Sequence, residues 1–372
     1  MKLRISDGLG IALCVVIVLI AQAADTSVPT TGSWRLNNWM GGAGKVQLEL
    51  MRSTLTSRWT TSSEYALEDL KGLTRDQIAS IHSPVRFELV RDAGTLICEG
   101  SVVAGVGGGT FSFSPNAAFV NEMRKLGFED LDEGKLFSMA TSDVSLVFAK
   151  QILKLGFHDV TSNQLIALRN RGISPEYITE IRAYGDDYSV GDVVRLHDHG
   201  VRSDFLRNLK KANFQIRAEE AIRLHDHGVN SDFVREVVAA QSRISPEDIV
   251  RLHDHGVSAE FVSDLHHAGY QLNSDDTIRL HDHGVNFEFM RGLRDSGYDF
   301  PSEEVVRLHD NGVSSKFPKQ LRDAGYERLT SQEMIRMWQN GVNGEYIARL
   351  QASGMKNLTP EQIIKLKQHG ID

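Results

Sequence analysis

The side chains best suited to chemistry are histidines and aspartates in a short motif that recurs along the chain. Arg-Leu-His-Asp-His-Gly-Val occurs four times, and in a fifth copy the second histidine is asparagine. Neutral imidazoles and carboxylates are good ligands for zinc and other divalent transition metals. The metal hypothesis takes as ligands the residues of the four full copies, which are His197, Asp198, His199, His225, Asp226, His227, His253, Asp254, His255, His281, Asp282 and His283.

Helical geometry weakens this metal hypothesis. Side chains at positions i and i+2 of a helix point about 200° apart, so the two imidazoles of one motif face different sides. Equivalent histidines of stacked helices lie about 8–10 Å apart, whereas each imidazole nitrogen lies about 2.0–2.1 Å from a shared zinc ion. A shared zinc would therefore need side chains that tilt towards each other between repeats.

The repeats that lack the full motif favour a structural interpretation of both histidines. Long amphipathic side chains that can lie along an apolar surface replace the first histidine, at Arg169, Trp338 and Lys367. Side chains that can hydrogen-bond the last carbonyl groups of a helix occupy the second position, at Arg171, Asn311, Asn340 and His369. A third possibility is a pH-responsive or ligand-facing row, because 14 histidines stand against a net charge of −8.

One arginine stands two residues before the first histidine of every copy. We expect it to pair with the aspartate three residues further along the same helix. Equivalent positions of stacked repeats form a row, so these arginines are also the predicted contacts for a protein or peptide partner. They are Arg195, Arg223, Arg251, Arg279 and Arg307.

Regularly spaced glycines define the elements that carry the motifs. One series recurs every 28 or 29 residues from Gly172 to Gly370, and a second is offset by half a repeat, with Asn213 and Gln241 at two of its positions. Such stops leave room for helices of about ten residues that end before a glycine. Each repeat is therefore predicted to be a helical hairpin.

Caps and one aromatic position complete each repeat. The second helices are predicted to begin after capping residues Ser174, Asn230, Ser258, Asn286, Ser314 and Asn343. One aromatic residue per repeat is predicted to join a ladder through the core, at Tyr177, Phe205, Phe233, Phe261, Phe289, Phe317 and Tyr346. One hairpin cannot bury its own apolar face, so we predict a stacked α-solenoid, with a globular helical bundle as the alternative.

The region before the repeats has the two-residue period of half-buried β-strands, from Lys45 to about Pro115. Hairpin turns are predicted at 92–94 and 105–109, and short helical turns between Tyr65 and Ile78. A strand follows the glycine run, whereas a phosphate-binding loop would lead into a helix. We predict a mainly α protein, with a small antiparallel β domain at 24–115 and an α-helical hairpin solenoid of repeats of 28 residues at 116–372.

Charge, cysteine content and the first residues narrow the class of protein. With 41 basic and 49 acidic residues and no basic cluster, the chain is not expected to bind nucleic acid. Residues 1–23 have the pattern of a secretory signal peptide, whose apolar run is too short to span about 30 Å of hydrocarbon. We expect no stable membrane span after cleavage. Cleavage would remove one of the two cysteines and leave Cys98, which we predict to be a buried structural thiol.

The sequence contains no recognised catalytic motif. It lacks His-Glu-x-x-His, Gly-x-Ser-x-Gly and a Walker-type loop. Evenly spaced copies of one motif suit a scaffold, whereas catalysis needs a single asymmetric constellation. We therefore predict a protein that is not an enzyme and has no cofactor, with zinc or another divalent transition metal as the alternative.

Several segments resemble the exported tails of bacterial membrane zinc peptidases of the beta-lactam-sensor and antirepressor type. The similar segments are Val85–Thr95, Gly107–Phe111, Pro115–Asn116 with Met123–Gly127, and repeats such as His255–Val257 followed by Glu260–Phe261 and Ala268–Tyr270. The Asp-His of the motif departs from the usual repeat of that family. Its peptidase helices and zinc motif are absent from this sequence, so proteolysis is not implied.

The resemblance implies a bacterial envelope location and a sensing or interaction role, and it adds no site residues. Combined with the repeats, it predicts an exported, periplasmic or extracellular, non-enzymatic module that binds an envelope protein or peptide. Divalent-metal binding through the His-Asp-His motifs and a purely structural envelope role are the alternatives.

Overall fold

The structure is a computed structural model that describes residues 30–37, 44–53, 58–184, 188–241 and 243–371. The predicted signal peptide at 1–23 and Gly185 of the second glycine series lie outside these ranges. The chain forms two compact units. The first comprises Met1–Val120 with Asp132–Ala140, and the second comprises Asn121–Leu131 with Thr141–Asp372.

One antiparallel sheet of seven strands dominates the first unit. The strands are β1 (Thr30–Asn37), β2 (Lys45–Ser53), β3 (Arg58–Ala66), β4 (Leu70–Lys71), β5 (Ser83–Arg91), β6 (Gly94–Val103) and β7 (Val106–Pro115). They lie in the order β3-β2-β1-β7-β6-β5-β4. A 3₁₀ turn (Leu67–Asp69) joins β3 to β4, and helix α1 (Arg75–Ala79) precedes β5, which places helical turns within the predicted segment.

The glycine run lies inside strand β7, so the prediction of a turn over 105–109 is wrong. The turn consists of Ala104 and Gly105, whose φ angles are 45° and 89°. Gly109 lies opposite Gly100 on β6, and a Cβ atom at Gly109 would lie 1.9 Å from the carbonyl oxygen of Glu99. Glycine is therefore required here because the two backbones approach too closely for a side chain.

The core of the first unit lies on the apolar face of this sheet. Trp34 is 1% exposed, and its indole nitrogen donates a hydrogen bond of 3.1 Å to the carbonyl oxygen of Glu99. The Trp34 ring meets Phe87 edge to face at 5.1 Å. Cys98 is also buried here, and desolvation raises the pKa of its thiol to about 12, in agreement with the predicted structural role.

Short α-helices make up the rest of the described chain. They are α2 (Ala117–Lys125), α3 (Glu133–Thr141), α4 (Leu146–Lys154), α5 (Ser162–Asn170), α6 (Pro175–Arg182), α7 (Val190–Asp198), α8 (Ser203–Lys211), α9 (Ala218–Asp226), α10 (Ser231–Ala240), α11 (Pro246–Asp254), α12 (Ala259–His267), α13 (Ser274–Asp282), α14 (Phe287–Asp295), α15 (Ser302–Asp310), α16 (Phe317–Asp323), α17 (Ser331–Gln339), α18 (Gly344–Ala352) and α19 (Pro360–Gln368). Within the part of the chain that the structure describes, none of these helices is long and apolar enough to cross a membrane.

The helices of the second unit form stacked hairpins, which confirms the α-helical hairpin solenoid. The odd-numbered helices from α5 to α19 carry the motif position and are called the A helices; the even-numbered helices from α4 to α18 are called the B helices. A helices contact the A helices of adjacent repeats, and B helices contact B helices. The leucine of every full motif, such as Leu224 and Leu252, is completely buried. It anchors the A helix in the core while the rest of the motif reaches the surface.

The predicted helix ends are confirmed at most positions. Gly200 and Gly228 have φ angles of 71° and 72°, and Asn213 replaces glycine with a φ of 55°. Gln241 is an exception, because its φ is −132° and helix α10 extends to Ala240.

Five of the six predicted caps of the B helices accept a hydrogen bond from the backbone N–H three residues later, at Ser174, Asn230, Ser258, Asn286 and Asn343. Ser314 does not cap a helix in this way, because α16 begins only at Phe317 and its N-cap is Lys316.

Candidate functional site

The motif occupies the last turn of each A helix, and its two histidines point in different directions. Helix α9 ends at Asp226, and His227 is the C-cap residue whose backbone N–H donates to the carbonyl groups of Arg223 and His225. Gly228 follows in the left-handed conformation. The histidines of one motif therefore make separate contacts, as the helical geometry predicts.

The first histidine packs against the aromatic residue of the preceding repeat. Ring centroids lie 5.4–6.2 Å apart in edge-to-face pairs, which are Tyr177–His197, Phe205–His225, Phe233–His253, Phe261–His281 and Phe289–His309. The predicted aromatic ladder is thus built differently, since imidazoles alternate with the rings. The rings of Tyr177, Phe205, Phe233 and Phe261 are only half-buried, whereas Phe289, Phe317 and Tyr346 lie in the core.

The outer repeats fill the same position with other side chains that cover the ring. The guanidinium of Arg169 lies 5.3 Å from the ring centroid of Phe148, and the ammonium of Lys367 lies 4.3 Å from that of Tyr346. Trp338 packs on Phe317 at 5.2 Å. The position therefore accepts an aromatic, an imidazole or a cation, which confirms the predicted packing of a long amphipathic side chain on an apolar surface.

Four of these first imidazoles keep one polar atom unpaired. The Nδ1 atoms of His225, His253, His281 and His309 are buried and make no hydrogen bond. Each lies 3.6–3.8 Å from a carboxylate oxygen of the next residue in the sequence, which is the aspartate of its own motif. A buried polar nitrogen without a hydrogen-bond partner costs free energy.

The second histidine links its repeat to the next one. Its Nδ1 atom lies 2.9–3.0 Å from an aspartate oxygen of the following motif, in the pairs His199–Asp226, His227–Asp254, His255–Asp282 and His283–Asp310. We call this row the motif ladder. Arg171 and Asp198 form the first pair, with an Nε–Oδ1 distance of 2.8 Å. The side chains of the whole ladder are 40–47% exposed.

The motif ladder continues into the last repeats through amides. Gln339 donates to Asn311 at 2.8 Å, and Gln368 donates to Asn340 at the same distance. The Nδ2 groups of Asn311 and Asn340 also donate to the carbonyl oxygens of Arg307 and Arg336, so the predicted capping of helix carbonyls is confirmed for these asparagines. The ring of a second histidine instead bonds the next repeat.

The arginines pair with acids other than those predicted. Arg195 contacts Asp192 of its own helix, whereas Arg223 and Arg251 contact Glu247 and Asp275 at the start of the next A helix. Arg279 contacts Asp276 of its own helix and donates to Ser302, and Arg307 contacts Glu303 of its own helix. Pairing with the aspartate three residues later is therefore wrong, because that aspartate faces the preceding repeat.

The geometry gives the metal hypothesis little support. The twelve proposed ligands, His197 to His283, are divided between ring contacts and the motif ladder. Over residues 30–37, 44–53, 58–184, 188–241 and 243–371, no group of three or more His, Cys, Asp or Glu side chains is placed to hold a metal ion.

Sequence reasoning missed a second set of links between repeats, formed by the B helices. Lys210 donates to the carbonyl oxygen of Ala183 at 2.9 Å, and Arg322 donates to that of Asp295 at 2.6 Å. Each basic side chain thus caps the end of the preceding B helix. A signal was present, because Arg182, Lys210, Arg294 and Arg322 recur at multiples of 28 residues.

Clefts also lie between repeats. One of 720 Å³ is lined by Tyr188, Asp192, Arg195, Lys210 and Arg217, among others. Arg195 pairs with Asp192, Arg217 pairs with Glu220, and the Tyr188 hydroxyl donates to the carbonyl oxygen of Ile216 at 3.1 Å. The charges around this cleft are therefore already balanced within the protein.

These elements define an α-helical repeat protein with a small antiparallel β domain. No protein-family model matches the chain, and no curated protein matches it. The motif ladder and the ring contacts must therefore be interpreted from their own chemistry.

Proposed function

We propose that this protein is an exported, non-enzymatic module of the bacterial envelope that recognises a protein or peptide partner. The observation that carries this proposal is the repetition of the same exposed residues on consecutive A helices. From α9 to α15 each A helix presents an acid at its second and third positions, an arginine at its sixth and an aspartate at its ninth. Equivalent positions in stacked repeats suit an extended partner.

The arginine row supports this proposal in a modified form. The side chains of Arg195, Arg223, Arg251, Arg279 and Arg307 are 41–54% exposed. Because most of them are held by a neighbouring acid, they are ordered rather than extended into solvent. A partner therefore meets a fixed lattice of charges, and binding costs less side-chain entropy than it would with free arginines.

The chemistry of the described residues also suits recognition better than catalysis. The buried Cys98 is held as a thiol, since burial raises its pKa to about 12, and thiolate chemistry needs a lowered value. The titratable groups of the motif are repeated and half-exposed. Catalytic groups usually lie in a single cleft where burial perturbs their protonation.

Capture of a partner from a bacterial envelope extract tests this function. The mature protein is immobilised and compared with R223Q/R251Q on the A helices and with the matched control R235Q/R291Q on the B helices, after circular dichroism has shown equal helicity. We expect a partner that wild type and the control retain and that the A-helix variant loses. Capture of the same proteins by all three would contradict the proposal.

A second candidate function is the binding of zinc or another divalent transition metal. The observation that favours it is the unpaired Nδ1 atom of His225, His253, His281 and His309, since an imidazole nitrogen without a hydrogen is a metal ligand. A cation there would have the motif aspartate as a second ligand. The zinc titration described in the Discussion separates the two functions.

A further inference from the structure

One cleft between repeats lies where the sequence departs from the repeat pattern. It is the cleft of 720 Å³ that is formed by the ends of α6 and α8 and the first turns of α7 and α9. This volume falls within the range of small-molecule sites in proteins. A cleft of 500 Å³ at the equivalent place two repeats further along the chain allows the two sets of lining residues to be compared.

The first departure is Tyr184, which stands immediately before the second-series stop of its repeat. In the six repeats that follow, the equivalent residue is alanine or serine, at Ala212, Ala240, Ala268, Ser296, Ala324 and Ser353. The Tyr184 ring is half-buried, and the Nε of Arg207 donates to its hydroxyl at 2.8 Å. Since the stack forms elsewhere with a small residue here, packing between repeats does not require a tyrosine.

The second departure is Arg217, at the N-cap position of helix α9. The N-cap residue accepts a hydrogen bond from the helix backbone in most other A helices, at Thr161, Ser189, Ser245, Asn273, Thr330 and Thr359. Arg217 makes no such bond, and its side chain is 81% exposed. Helix α9 therefore lacks a stabilising cap, and departures of this kind from local rules concentrate at functional sites.

The charges around the cleft favour an uncharged ligand. Three acidic and three basic side chains line it, at Asp192, Glu219, Glu220, Arg195, Lys210 and Arg217. Arg195 pairs with Asp192 at 2.6 Å, and Arg217 pairs with Glu220 at 2.8 Å. A charged ligand thus gains no net attraction, whereas a neutral polar ligand can use the donors and acceptors that each paired group still offers.

We propose that this cleft binds an uncharged saccharide, whose ring stacks on Tyr184 and whose hydroxyl groups bond the surrounding polar side chains. The inference goes beyond the proposed function, because it concerns a small ligand at a single cleft and not a partner that spans several repeats.

The lining residues match the two kinds of surface that a sugar ring presents. A pyranose has an apolar face of C–H groups and a rim of hydroxyls. Tyr184 and Tyr188 supply aromatic surface, and the Tyr188 ring is fixed because its hydroxyl donates to the carbonyl oxygen of Ile216 at 3.1 Å. Gln215 is exposed at the same cleft, and its amide can both donate and accept. An apolar peptide side chain would instead leave these polar groups without a partner.

Saturation-transfer NMR with two neutral disaccharides, N,N′-diacetylchitobiose and maltose, tests the inference on the full mature chain. We expect at least one of them to bind, with the strongest transfer to the protons on one face of a sugar ring, because that face lies on an aromatic ring. Absence of transfer to both sugars at about 10 mM, well above the affinity of weak specific sites, would overturn the inference.

Two variants that copy other repeats assign binding to the cleft. Y184A should weaken the binding of the disaccharide about tenfold and leave the helical signal unchanged, since alanine occupies the equivalent position in four other repeats. R217S should weaken binding about fivefold and yet raise the urea midpoint, because serine restores the cap of α9. Unchanged affinity in both variants would refute the site.

The equivalent cleft supplies the matched control. Gln215 and Gln271 occupy the same position two repeats apart, but the second cleft has Ala240 and Asn273 in place of Tyr184 and Arg217. Q215A should therefore weaken binding about fivefold, whereas Q271A should have no effect. Equal losses would place the sugar elsewhere, and its displacement by inorganic phosphate at constant ionic strength would show an anion site; either result would overturn the inference.

Discussion

The contact between His227 and Asp254 should couple two repeats by about 1 kcal/mol. The two side chains are each 44% exposed, and the Nδ1–Oδ2 distance is 2.9 Å. A buried hydrogen bond to a charged group contributes about 1.5–3 kcal/mol to stability. We expect a contribution of about half as much from the exposed contact between His227 and Asp254, because solvent competes for both groups.

A double-mutant cycle measures this coupling. H227A, D254A and the double variant are unfolded in urea, and the helical signal is followed by circular dichroism so that the repeats are monitored. Each single variant should cost about 1 kcal/mol, and the double variant should cost less than the sum of the two. The control cycle combines H227A with D282A, whose side chains do not touch and whose effects should add to within about 0.3 kcal/mol.

The chain offers a rescue for the same contact. Asn340 and Gln368 form a hydrogen bond of 2.8 Å at the equivalent positions of the last repeats. H227N/D254Q should therefore regain most of the stability lost by H227A and remain within about 0.5 kcal/mol of wild type. A coupling energy below about 0.3 kcal/mol, together with no recovery in the amide pair, would refute the idea that the ladder connects repeats.

Three further predictions address other parts of the molecule. G109A should destabilise the β domain by about 3 kcal/mol or more in urea unfolding, because its Cβ would lie 1.9 Å from a backbone oxygen. The matched variant G108A should cost less than about 1 kcal/mol, because its Cβ would lie 3.3 Å from the backbone oxygen of Trp34. Cys98 should react with a thiol reagent at pH 8 only after unfolding, since burial holds its pKa near 12 and the thiol stays protonated; rapid reaction of the folded protein would contradict this. Calorimetric titration of the chelator-treated protein with zinc at pH 7.5 should show no tight binding. Binding of several equivalents of zinc with micromolar or tighter affinity, lost in acid, would favour the metal function instead.

The sequence predicts the helices well because each helix carries its own signals. Glycines such as Gly200 and Gly228 end A helices, and Asn230 caps a B helix, all through contacts within a few residues. Two positions depart from this pattern. Gln241 has a φ of −132° and does not adopt the left-handed conformation of the glycines, and the helix after Ser314 begins only at Phe317 although serine caps other B helices.

The contacts between repeats were harder to predict. A periodic pattern shows which residues are equivalent, but it does not show whether Asp226 faces Arg223 of its own helix or His199 of the repeat before. That choice depends on the stagger of neighbouring helices, which is a property of the stack. The glycine run of β7 was misassigned for a similar reason, since Gly109 is required by the backbone of Gly100 on another strand.

The side chains that cap the ends of B helices come from the following repeat, at Arg182, Lys210, Arg322 and Gln351. Lys210 caps a helix that ends 27 residues earlier, and Gln351 donates to Ala324 across the same interval. During synthesis, the carbonyl groups at the end of such a B helix therefore have no side-chain cap until the following repeat has been added. In these repeats the hairpin made later supplies the side-chain cap of the B helix made before it, so the carboxyl ends of these B helices depend on the repeat that follows.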